Sequence, residues 1–140
     1  RYHSVYRVPG ELNERDRMFA DLLRDADKID ILRVNYEVGV EKIYNVSTKE
    51  VRSCAVTDEV MEEFSKKQAV LRQYKKNPID HVVGHISLVF ELVYPISLEL
   101  ALSQGYLNRL LDYPTENETT REQFVRIRDI MEEYIRERMA

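Results

Sequence analysis

Helix-spaced apolar residues, broken at intervals by Pro and Gly, constrain this chain more than any other feature. Pro9-Gly10, Gly39, Pro78, Pro95, Gly105 and Pro114 supply the breaks, each more at home at a helix end than inside one. Between them apolar residues recur every three or four positions, and no stretch alternates residue by residue as a half-buried strand would. The spacing predicts a first helix over 14–36, capped by Asn13, with Met18, Phe19, Leu22, Leu23, Ala26, Ile29 and Leu32 as its apolar positions. Residues 40–53 read as a short helix or an irregular loop. Thr57 then caps a helix with acid in its first turn that fades near Tyr74. Asn77-Pro78 opens a helix from Ile79 to Val93 that is apolar on most of its circumference, the candidate central element, which Pro95 must kink or break. A helix to Gln104, one or two turns over 106–111, and a last helix from about Thr120 follow. Thr120 and Gln123 match a capping box there. The fold class is an all-α bundle of five or six helices.

A chain of 140 residues suits one domain. Its 25 acidic residues outnumber 21 basic ones, a balance that argues against nucleic acid as a partner. The longest run without Asp, Glu, Lys or Arg, His81–Phe90, is ten residues, half of what a membrane span needs. The one cysteine, Cys54, can neither close a disulfide within the chain nor build a thiolate cluster. No signal peptide is recognisable, so the expected compartment is the cytoplasm. The nine tyrosines are too scattered to form a base-stacking platform.

Two sets of residues carry possible chemistry. His81 and His85 lie one helical turn apart and form a candidate metal pair, although no Glu completes a zinc-protease pattern and a polar rim on a core helix is the plainer reading. The other set lies in the first helix. Ala20, Leu23, Asp27, Asp30 and Val34 are spaced three, four, three and four apart, so two carboxylates fall on a stripe expected to face the core. A buried carboxylate without a partner is costly, and it is kept where it meets a cation or a metal. The plainer alternative places both at the edge of the stripe, paired with Arg24, Lys28 or Arg33.

The stretch Leu23-Arg24-Asp25-Ala26-Asp27-Lys28-Ile29-Asp30-Ile31-Leu32-Arg33 resembles the last motif of the HD-domain metal-dependent phosphohydrolases. In that family a His, a His-Asp pair and a final Asp bind metal, and Asp27 matches the final Asp. Arg1-Tyr2-His3 resembles an upstream Tyr-His segment of several branches. The later run around Asp80, Ile86–Leu92, Ser97 and Gly105–Leu107 is similar to the helical tail of bacterial HD proteins. The resemblance implies an HD-like bundle in which 1–36 closes the HD core and 37–140 is a helical extension packed on it as one unit. It implies hydrolysis of a nucleotide or another small phosphoester by water activated on a divalent metal ion (Fe, Mn, Co, Ni or Zn). Asp27 would be a ligand, His3 a second-metal ligand or phosphate contact, and Lys28 and Arg33 candidates for substrate oxygens. The first His and the His-Asp pair have no counterpart, and the chain starts at Arg1 rather than Met. It is therefore expected to be the C-terminal part of such a protein, inactive by itself. The alternative is a non-catalytic interaction module that self-associates through apolar helix faces.

Overall fold

The computed structural model describes residues 14–139. Eight α-helices and two short 3-10 turns, with no strand, make up these residues, so the all-α class holds with more helices than the five or six expected. The helices are α1 (Glu14–Val38), α2 (Val40–Ile43), α3 (Thr48–Ser53), α4 (Asp58–Ser65), α5 (Ile79–Ser87), α6 (Pro95–Gln104), α7 (Tyr106–Leu111) and α8 (Glu118–Met139). The Pro9-Gly10 turn and the Asn13 cap lie outside the described residues.

Helix α5 is the hub. Ile79, Val82, Val83 and Ile86 are fully buried, and α1, α4 and α7 pack around them. Burying each such side chain contributes about 1.5–3 kcal/mol. Phe64 of α4, Phe90 and Tyr134 of α8 stack edge to face with centroids 4.9 Å apart at each step. The same core takes in Phe124, Ile127 and Met131 of α8. Among the described residues no helix is long and apolar enough to cross a membrane.

Several boundaries differ from the sequence expectation, each for a hydrogen-bonding reason. Residues 40–53 form two short helices, α2 and α3. The second begins with a complete capping box in which the Ser47 hydroxyl accepts from Glu50 N and Glu50 accepts from Ser47 N. Helix α4 stops at Ser65 rather than near Tyr74. Lys67 there takes a left-handed backbone, φ 59°, and the chain turns back until Ser87 of α5 accepts the Val70 amide at 2.9 Å. At the start of α8 the capping box forms differently. Asn117 accepts the Thr120 amide at 3.0 Å, the Thr120 hydroxyl donates to the Cys54 carbonyl, and Gln123 both accepts from Val56 N and donates to Val56 O.

Helix α5 ends at Ser87 and runs into a 3-10 turn, Leu88–Glu91, so the helix expected to reach Val93 stops early. The joint before α6 is held by side chains instead. Asp25 of α1 accepts the amides of Val93 and Tyr94. From α8, Arg138 donates to the carbonyls of Leu92 and Val93, and the Tyr134 hydroxyl donates to that of Phe90. Pro95 then opens α6 at its first position, where its missing N–H costs nothing. Gly105, at φ 81°, ends α6 as expected.

Candidate functional site

Helix α1 presents three aspartates of the motif in three environments. Its buried stripe is Asp25, Ile29, Leu32 and Asn35, spaced four, three and three. Of the stripe expected to be inward only Ala20 is buried, and beyond it the buried face is displaced around the helix: Asp27 and Asp30 are exposed, and Leu23 and Val34 only half-buried. The cause is visible in the sequence once both faces are counted. Phe19, Leu22, Leu23 and Ala26 make a second apolar face, so periodicity alone cannot say which face is inside. The need of the Val93 and Tyr94 amides for an acceptor selects the face that carries Asp25.

Each aspartate therefore has its own role. Asp25 is 1% exposed and saturated by backbone donors at 2.9–3.1 Å. Asp30 pairs with Arg33 at 2.9 Å, and Arg33 also reaches Glu37 at 2.8 Å. Asp27 makes no hydrogen bond or ion pair among the described residues. It sits beside the second apolar face, on which Phe19 is 60% exposed and Leu22 and Ala26 are also open. Lys28 is half-buried without an ion pair among the described residues, and Arg33 is committed to its two carboxylates. His3 lies outside the described residues.

The two histidines of α5 belong to a different cluster. His85 is hydrogen-bonded at both ring nitrogens: Asn35 Nδ2 donates to Nδ1, and Nε2 shares a hydrogen bond of 3.0 Å with the Tyr44 hydroxyl. With Nδ1 accepting, the proton sits on Nε2 and the ring is neutral. Burial holds its pKa at about 4, assisted by the nearby charge of Lys75. His81 stacks on Tyr44 with centroids 3.7 Å apart, and burial, then Lys75, pulls it below the usual imidazole value. The Lys75 amine is itself lowered by burial. Its side chain lies over Gly84, where any Cβ would strike it. His85 has no nitrogen left for a metal, so the His81–His85 pair is a core polar cluster. Beside it, Asp80 is fully buried and accepts from Thr57 N, the Thr57 hydroxyl, Lys76 N and Asn77 N.

Among the described residues no three His, Cys, Asp or Glu side chains converge as a metal would require. The described part of the chain therefore does not hold a complete metal ligand set. Sequence reasoning had not assigned Asp25, Asn35, Tyr44 or Lys75 to any site. The spacing of Asp25 and Asn35 with Ile29 and Leu32 was the available signal for the first two, whereas Tyr44 and Lys75 come from segments without periodicity. No protein-family model matches this chain, and no curated protein or solved structure does either.

Proposed function

We propose that this chain is the C-terminal helical part of an HD-type metal-dependent phosphohydrolase acting on a nucleotide or another small phosphoester. Asp27 is the carboxylate it contributes toward the divalent cation. One observation carries this reading: of the three aspartates in the motif, Asp27 is exposed and has no partner among the described residues, while Asp25 and Asp30 are occupied. The second apolar face of α1 supports it, because an HD-like bundle would cover that face with helices preceding α1. The remaining ligands would come from His3 and from segments that this sequence does not contain. The 140-residue chain alone is accordingly expected to leave phosphoesters unhydrolysed.

The test is a titration of the chain with Mn²⁺, followed by paramagnetic broadening of its amide resonances. The reading expects broadening centred on Asp27 and lost in Asp27→Asn. Broadening spread equally over the exposed carboxylates, and unchanged in the variant, would overturn it. The same uncovered Phe19-Leu22-Ala26 face is equally what a non-catalytic interaction module would present. That reading expects reversible self-association that Phe19→Ser weakens in sedimentation, with no response to Mn²⁺.

A further inference from the structure

A second site lies at the other end of α1. The end of that helix, α2, the last turn of α3 and the start of the α7–α8 connection enclose a cleft of about 410 Å³, within the range of small-molecule sites. Arg52 of α3, Arg109 of α7 and Lys42 of α2 line it, facing the single carboxylate of Glu41. The backbone of Arg52 is pinned, its carbonyl accepting from Glu116 N at 2.9 Å and from the Thr115 hydroxyl at 3.1 Å. Its Nε is buried and donates to no acceptor among the described residues. Arg109 lies over the Tyr36 ring, 5.1 Å from its centroid, and pairs with no carboxylate among the described residues. Glu41 forms no ion pair with either guanidinium among the described residues, and one of its oxygens accepts from the Thr48 hydroxyl at 2.9 Å. Burial, then the Glu41 charge, pushes the Tyr113 phenol up to about 12 against the opposing effect of Arg52, so the phenol is neutral.

Neither Arg52 nor Arg109 pairs with a carboxylate among the described residues, so an oxyanion entering the cleft meets two guanidinium charges that no acidic side chain offsets. Two guanidinium groups and a phenol suit the several oxygens of a phosphoryl group better than they suit a single carboxylate. We infer that this cleft binds a small phosphorylated ligand, its phosphoryl oxygens held by Arg52 and Arg109 between the rings of Tyr36 and Tyr113. The site is distinct from Asp27: Tyr36 lies nine positions along α1 from Asp27, a rise of about 13 Å. It therefore stands whether or not Asp27 binds a metal.

The test is calorimetric titration of the whole chain with inorganic pyrophosphate, at low salt and with chelator present. Saturable one-to-one binding with Kd below about 1 mM is expected. Arg52→Gln and Arg109→Gln should each weaken it about tenfold or more, and Glu41→Gln should tighten it several-fold, since it removes the one negative group. Asp27→Ala should leave it unchanged. Absence of saturation at about 10 mM, equal affinity in folded arginine variants, or loss in Asp27→Ala would each overturn the inference. If Arg52→Gln loses its helical circular dichroism, the surface change Arg109→Gln and the charge change Glu41→Gln decide between the outcomes.

Discussion

Asp80 in α5 and Asp27 in α1 are both helical aspartates flanked by apolar positions, yet the fold treats them oppositely. Asp80 is fully buried and takes four donors from two segments, Thr57 and Lys76-Asn77, tying the starts of α4 and α5 together. Asp27 is exposed and takes none among the described residues. A carboxylate inside a helical bundle persists when its lone pairs are filled by the chain itself, and such a group has nothing left for a ligand. Capacity to bind therefore has to be sought where a charged group is poorly engaged: at Asp27 on one side of α1, and at Arg52 and Arg109 near its other end.

The largest effect should come from emptying the saturated site. Asp80→Ala leaves the amides of Thr57, Lys76 and Asn77 without their acceptor and is expected to cost about 4 kcal/mol in denaturant unfolding. A loss below about 1 kcal/mol would break the comparison. Asp25→Ala strands two amides rather than three and should cost about 2–3 kcal/mol, with the joint at 90–94 the first region to gain amide exchange. The next effect is a pH dependence. His85 is neutral in the fold with its pKa lowered to about 4, whereas the unfolded chain protonates near 6.5. Its contribution is thus full above about pH 6.5 and is lost as the pH falls toward 4. Between about pH 7.5 and about pH 5 the chain should lose about 2 kcal/mol, and His85→Gln should flatten that slope. The smallest effect belongs to the open side of α1. Asp27→Ala and Asp30→Ala should each change stability by less than about 0.5 kcal/mol, although the first removes the Mn²⁺ response. A clear destabilisation by Asp27→Ala would show that this side chain is structural after all.

Much of the architecture was legible because its signals are local. The start of α4 after Thr57, the break at Pro95, Gly105 closing α6 and the short α7 lie where the residues indicated, although the Thr57 hydroxyl donates to Asp80 instead of capping its helix and Pro78, expected at the first helical position, is the residue before it. Legibility failed where a distant donor or acceptor overrides a local pattern. Gln123 serves the Val56 backbone 67 residues away instead of its own helix start, and Ser87 draws Val70 out of a longer α4. The candidate site shows the same division. The motif around Asp27 could be read directly, but which face of α1 is inside depends on the Val93 and Tyr94 amides, which no window around residue 27 contains. The Arg52–Arg109 cleft gathers residues of four elements and has no signature in any one of them.

The joint at 90–94 also bears on how the molecule assembles. Asp25 and Arg138 grip the same few peptide units from helices at opposite ends of the described chain. Neither grip is local in sequence, so closing the joint pays the entropy of two long loops before it returns any bond. Local contacts within α4–α5 and α6–α7 can form early, while the clasp that joins α1 to α8 closes late. A chain lacking the last turn of α8 should therefore fold at a nearly unchanged rate yet unfold faster, because the step that locks its two outermost helices together has lost one of its two hands.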